Sequence, residues 1–223
     1  MGGLEVNYGL LRRRKVRALM RALALSGGEA SLSRLARETG IAKSTLEYNL
    51  RILERNGFIT KTKGMVRLVL KTPICYLFDA PCSYAYMGLL GERTGRAEAE
   101  TETAIKLLRE EGINPEKIVV ATTYRAVTDW EGLIHLDVEW LLMTEEDITN
   151  VEKVEACIQP KLEELVKNYK VIADCTSATK PATIALYKQA EKHKTPLIYI
   201  YEKQRKLHWI TSPNTLKQQL LQT

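Results

Sequence analysis

Residues 170–201 read KVIADCTSATKPATIALYKQAEKHKTPLIYIY. Lys170–Asp174 is a short apolar run with β-branched residues at its centre, and it predicts a strand. Pro181–Lys192 has the length and composition of a helix, with Pro181 at the favoured first position. Pro196–Tyr201 is a second apolar run and predicts another strand. Two strands separated by one helix cannot form a hairpin, so the stretch predicts a parallel βαβ unit.

The same rhythm extends outward. Tyr84–Leu90 predicts a strand, followed by the polar loop Gly91–Arg96. An amphipathic helix carries Ala104, Ile105, Leu107 and Leu108 and ends at Gly112. Lys117–Thr123 and the alternating Leu133–Leu142 predict two more strands, and Val151–Asn168 a long helix. Residues 205–223 form an appendage, with a strand at Leu207–Thr211 and a helix from Pro213. Strands alternating with helices predict an α/β Rossmann-like domain with a mostly parallel sheet over residues 84–204.

In such sheets ligands sit beyond the carboxyl ends of the strands. Three loops therefore matter: Gly91–Arg96, Thr122–Arg125 and Asp174–Lys180. The last enters a helix N-terminus through Thr176, Ser177, Ala178 and Thr179, with Lys180 beside them. Small hydroxyl residues, backbone N–H groups and one lysine make an anion cradle. By pattern alone the turn is equally an ordinary capped strand–helix junction. No G-x-G-x-x-G follows the first strand and no G-x-x-x-x-G-K-[ST] occurs, which disfavours the usual nicotinamide and ATP sites.

Charge divides the chain. The 223 residues carry a net charge of +6. Leu10–Lys71 holds fifteen basic and four acidic residues, a balance of +11, whereas residues 72–223 balance to −4. A basic block beside a mildly acidic remainder predicts two domains, the first facing a polyanion. Leu10–Leu25 predicts a helix with Leu11, Val16, Leu19 and Leu23 on one stripe. Ser26-Gly27-Gly28 stops it. A short helix follows from Ser31 and ends at Gly40. Ser44 and Glu47 have the spacing of a capping box that opens a third helix, with Leu46, Leu50 and Leu53 inward. Phe58–Thr62 and Met65–Leu70 predict a hairpin with Lys63-Gly64 at its tip.

The segment SLSRLARETGIAKSTLEYNLRILERNGFITK, residues 31–61, resembles the winged helix-turn-helix of prokaryotic transcription regulators. Residues 1–71 are assigned to this domain and 72–83, with Pro73 and Pro81, to a packed linker. A recognition helix reads base edges from its first turns. Lys43, Ser44, Thr45 and Tyr48 take the base-proximal positions, and Arg51, Arg55, Lys61 and Lys63 the phosphates. The other reading of this face is a solvated surface on a protein-docking module. The concentrated positive charge favours double-stranded DNA.

Two further stretches resemble the CRISPR-associated Rossmann-fold (CARF) sensor domain: MGLLGERTG with the following ETETAIKLL, and DCTSATKPATIALYKQAEKHKTPLIYIY. The second contains the pattern D-x-[ST]-x-x-[TS]-[KR]. Beside a winged helix, this makes the chain similar to archaeal CRISPR-associated transcription regulators, although here the winged helix comes first. The resemblance implies a homodimer that shares one pocket for a cyclic oligoadenylate, the tetramer foremost. It carries over Thr94 in the first loop, with Arg93 beside it, and Asp174, Thr176, Ser177, Ala178, Thr179 and Lys180 in the second. Thr123, Tyr124 and Arg125 are added from loop position; Tyr124 is either an adenine-stacking group or a rim tyrosine. A second implication is a metal-independent ring nuclease that cleaves its own ligand, with Thr94 and Lys180 as candidate catalytic residues.

Other classes are disfavoured. No apolar run approaches 18 residues, which speaks against a membrane span. No secretory leader is evident, so a cytoplasmic protein is expected. Cys75, Cys82, Cys157 and Cys175 show no C-x-x-C spacing, and His135, His193 and His208 are scattered, so neither a metal site nor a cofactor is expected. The cysteines are expected to be reduced, partly buried thiols.

Overall fold

The computed structural model describes residues 6–222 and divides into two compact units. One comprises the chain up to Cys82 together with the segment from Pro213; the other is Ser83–Ser212.

The first unit begins with a 3₁₀ turn, Tyr8–Arg12, and helix α1, Arg14–Leu25. The single helix expected from Leu10 is therefore broken at Arg13, whose backbone is extended. Leu11 and Val16 are five residues apart, off the helical spacing; the break resets the phase so that both are fully buried. Strand β1, Glu29–Ser31, precedes α2, Leu32–Thr39, which Ser31 caps and which Gly40 ends at φ +62°. Helix α3 spans Lys43–Arg55 and buries Leu46, Leu50 and Leu53. The expected capping box is absent. The carbonyl of Ala42 already accepts the first helical bond, from the Leu46 N–H at 2.9 Å, so Ser44 lies inside the first turn rather than ahead of it.

Strands β2, Ile59–Thr62, and β3, Met65–Leu68, form the hairpin, with Lys63 and Gly64 both at positive φ. β1 adds to the far side of β3, giving the order β1-β3-β2. The linker folds into this unit as α4, Ile74–Leu77, buried throughout. Cys75 and Cys82 form a disulfide, contrary to the reduced thiols expected. The chain reverses after α4, with the Ala80 N–H bonded to the Cys75 carbonyl at 2.9 Å, and this brings the two sulfurs together inside an apolar cluster.

The second unit contains β4 (Tyr84–Leu89), α5 (Glu100–Glu110), β5 (Pro115–Thr123), α6 (Tyr124–Asp129), β6 (Glu139–Met143), α7 (Val151–Asn168), β7 (Lys170–Asp174), α8 (Lys180–Lys192), β8 (Leu197–Tyr201) and β9 (Lys206–Thr211). The chain ends on α9, Pro213–Gln222, which buries Leu216 and Leu220 and packs in the first unit against α4 and the 3₁₀ turn.

The second unit's six strands lie in the order β6-β5-β4-β7-β8-β9; all neighbours are parallel except β8 and β9. Counted from β4, this is the doubly wound 3-2-1-4-5-6 order, whose direction of winding reverses between β4 and β7. β7 is wholly buried, as are Ile118–Thr123 of β5, which explains their unbroken apolar runs. β6 is shorter than expected, because residues 133–138 turn back after α6 and only Glu139–Met143 pair with β5.

Candidate functional site

A cavity of about 310 Å³ opens where the winding reverses, at the carboxyl ends of the strands. β4 delivers Leu90 and Gly91, β5 delivers Thr123, and β7 delivers Thr176, Ser177, Ala178 and Thr179. This is the crevice a doubly wound sheet offers to ligands.

The β7–α8 turn is held from below. Asp174 is buried, and its Oδ1 accepts from the Thr176 N–H at 2.9 Å and from the Thr176 hydroxyl. The Thr176 hydroxyl also accepts from the Ile200 N–H at 2.8 Å. Asp174 and Thr176 thus fix the path of the turn. Burial raises the Asp174 carboxyl above the ordinary carboxylate range, opposed by the hydrogen bonds from Thr176 and Tyr86. Burial first, and the Asp174 charge second, push the neighbouring Cys175 thiol up to about 12.

The turn is also tied to the first loop. The Gly91 N–H donates to Ser177 Oγ at 2.9 Å. A Cβ on Gly91 would stand 3.4 Å from both Ser177 Oγ and Ala178 N, the edge of ordinary contact, so the two loops pack closely here. Ala178 sits at φ +77°, a left-handed conformation rare for alanine. Thr179 caps α8 by accepting from the Ala182 N–H at 3.3 Å, and its hydroxyl donates to the Ile148 carbonyl. Thr123 caps α6 in the same way, accepting from the Ala126 N–H at 3.2 Å. Two capped helix N-termini therefore border the cavity, α6 and the longer α8.

Of the residues singled out from sequence, Thr94, Thr123, Thr176, Ser177, Ala178 and Thr179 line the cavity together. The others lie elsewhere. Asp174 is beneath the turn. Lys180 is exposed on the first turn of α8. Arg93 donates to the Arg96 carbonyl at 2.8 Å, with its guanidinium 5.7 Å from the Trp130 ring centre. Tyr124 is 73% exposed, and Arg125 pairs with Glu92 at 3.4 Å. Sequence reasoning missed Glu100 on α5 and Glu145 and Ile148 after β6, all of which line the cavity. A strand placed at Glu139–Met143 would have pointed to the last two, since the loop after it stands beside the others at the same sheet edge.

In the first unit, α3 exposes Lys43, Ser44, Tyr48, Arg51 and Arg55, while Thr45 is half-buried. Lys61 and Lys63 are exposed on the hairpin, with Lys61 2.9 Å from Glu54. Asn49 is buried on the inner side and donates to the Thr45 carbonyl at 2.7 Å, so it belongs to packing rather than to the exposed face.

Residues 14–62 match a family described as a helix-turn-helix domain. The first unit carries a winged helix-turn-helix. Its trihelical core is α1 to α3 and its wing is the β2–β3 hairpin, and an α/β domain with a mostly parallel sheet follows. No curated protein matches the chain in sequence. Among solved structures, protein VC1899 from Vibrio cholerae is 9% identical, with a TM-score of 0.48 over 58% of this chain and 34% of that one. Can2 from Sulfobacillus thermosulfidooxidans in complex with cyclic tetra-adenylate is 13% identical, at 0.40 over 57% and 34%. Enterococcus italicus Csm6 bound to cyclic hexa-2'-fluoro-hexa-dAMP is 10% identical, at 0.41 over 63% and 39%. The chain thus spans between a third and two fifths of the length of these structures, and TM-scores below 0.5 fix no ligand for it.

Among the described residues, no helix is long and apolar enough to cross a membrane, and no group of three or more His, Cys, Asp or Glu side chains could hold a metal ion.

Proposed function

We propose that this chain is a cyclic oligoadenylate-responsive, DNA-binding transcription regulator of a CRISPR antiviral system, acting as a homodimer. The observation that carries the reading is the position of the D-x-[ST]-x-x-[TS]-[KR] turn. Its Ser177-Ala178-Thr179 segment forms part of the cavity wall at the reversal point of the sheet, with the first loop closed on it. Hydroxyls and a helix N-terminus suit a phosphodiester better than a general positive charge would in a domain that is acidic overall. Size supports the homodimer. A cavity of about 310 Å³ stands at the lower end of the roughly 300–1,000 Å³ of small-molecule sites. A ring of four nucleotides needs more, and two copies related by a two-fold axis supply it to a ligand with the same symmetry.

The helix-turn-helix unit supplies the output. Lys43, Ser44, Thr45 and Tyr48 contact bases, and Arg51, Arg55, Lys61 and Lys63 contact phosphates. Ligand binding shifts the dimer between two states that differ in affinity for the operator, which requires the ring to bind those states unequally.

Titration of the full chain with cyclic tetraadenylate, with chromatography of the products, tests the reading. The expected result is one ring per two chains, an intact ligand and an altered DNA affinity. No binding would overturn it. Conversion to linear product would instead make the chain a ring nuclease, with Thr94 and Lys180 as the first residues to vary.

A further inference from the structure

The cavity wall is bipolar. Opposite in character to the hydroxyl-rich turn, it carries the carboxylates Glu92, Glu100 and Glu145, with Arg96 as the one cationic side chain among the described residues that line it. Glu92 and Glu145 are exposed, and Glu92 pairs with Arg125. Glu100 differs. It is 3% exposed, its Oε1 pairs with Arg96, and its Oε2 is buried with no hydrogen-bond partner.

A buried carboxylate oxygen without a donor is costly, and native structures leave few of them. Facing a cavity, it asks for a ligand group that donates. A phosphodiester cannot serve, because it carries no hydrogen to donate to Oε2. The ligand part that meets Glu100 must carry N–H or O–H.

We propose that Glu100 is a specificity-determining residue that accepts a hydrogen bond from the exocyclic amine of a purine base, so that the cavity reads the base as well as the phosphodiester. The inference rests on the cyclic oligoadenylate reading and deepens it by assigning the adenine 6-amino group a partner. Glu and Asp accept from the exocyclic amine of cytosine in DNA grooves, and the adenine 6-amino group is a donor of the same kind. Arg96 pairs with Oε1, which leaves Oε2 for the base. A base without that amine leaves the carboxylate oxygen buried and unpaired, and this makes the discrimination larger than the loss of an exposed hydrogen bond would be.

The test compares two rings on the full-length protein: cyclic tetraadenylate and the cyclic tetramer of purine riboside, which lacks only the 6-amino groups. Wild-type protein is expected to bind the second about 10- to 100-fold more weakly, the range for hydrogen bonds to a charged group. Glu100→Ala is expected to bring the ratio close to one. Equal binding of both rings by wild-type protein overturns the Glu100 assignment while leaving the cyclic oligoadenylate reading intact. The same holds if a Glu100→Ala protein that melts like wild type keeps the discrimination. A control ring, 2′-deoxy cyclic tetraadenylate, separates the ribose: if Glu100→Ala removes a penalty against that ring and not one against the purine riboside ring, Glu100 reads the ribose and the assignment is overturned. Binding of neither ring by wild-type protein overturns both readings. The wild-type ratio alone decides against the proposal even where the variant folds poorly.

Discussion

Tyr86 on β4 donates a 2.6 Å hydrogen bond to Asp174 Oδ2 at the end of β7, and both side chains are buried. The residue paired with Asp174 in the register is Gly88, so the Tyr86 phenol reaches along its own strand to meet the carboxylate. This bond anchors the turn that lines the cavity. Tyr86→Phe removes the donor and keeps the ring. Loss of this hydrogen bond leaves a buried carboxyl oxygen without its donor and should cost about 1–3 kcal/mol, read as a lower urea midpoint with an unchanged slope.

Asp174 also sets a pH dependence. Burial raises its carboxyl above the ordinary value, so the folded chain holds a proton there at pH values where the unfolded chain has released it. Its contribution to stability is complete below the ordinary value near 3.9 and declines as pH rises through the folded one. Asp174→Asn cannot ionise. The stability of that variant relative to wild type should therefore improve steadily from pH 4 upward, by urea unfolding at each pH. A constant difference across the range would contradict a raised carboxyl.

Gly88 leaves room for the same phenol. A Cβ there would stand 2.4 Å from Tyr86 Oη and 2.7 Å from its Cζ, far inside contact distance. Gly88→Ala should destabilise by about 1–3 kcal/mol, as overpacked cores do. The double variant Gly88→Ala/Tyr86→Phe should recover little of the Gly88→Ala loss, because the ring carbons Cε1 and Cζ, 2.6 and 2.7 Å from the new methyl, remain in phenylalanine.

The helix-turn-helix reading has its own measurement. Arg51 and Arg55 are exposed on α3 beyond the base-proximal turn. Arg51→Ala and Arg55→Ala should each weaken binding to all DNA sequences alike and lower the slope of log affinity against log salt by about 1. Tyr48→Ala should instead narrow the difference between operator and unrelated DNA at fixed salt. A slope unchanged in both arginine variants would remove these contacts from the interface.

The fold was legible where burial is two-sided or strictly periodic. Leu46, Leu50 and Leu53 mark one face of α3, and the apolar runs of β4, β5 and β7 mark strands buried on both faces. Elements whose signals are short or mixed were missed. β1 is three residues long, and α6 begins at Tyr124, where the polar Thr123–Arg125 stretch reads as a loop. The disulfide escaped because a separation of seven says nothing about the reversal after α4 that joins Cys75 to Cys82. Within the site, the turn after β7 was legible because its residue types crowd into seven positions. Glu100 was not, because a glutamate in the first turn of a helix is ordinary dipole chemistry until its burial is known.

The return of α9 to the first unit has a consequence for biosynthesis. Residues 83–212 interrupt that unit, so the last of its packing partners leaves the ribosome only after the whole α/β domain has been made. The helix-turn-helix is synthesised before the α/β domain, and its unit is completed after that domain. During those 130 residues of elongation, the surface that Leu216 and Leu220 later cover stays open to solvent and to chaperones. A fragment that stops at Cys82 would retain that incompleteness permanently.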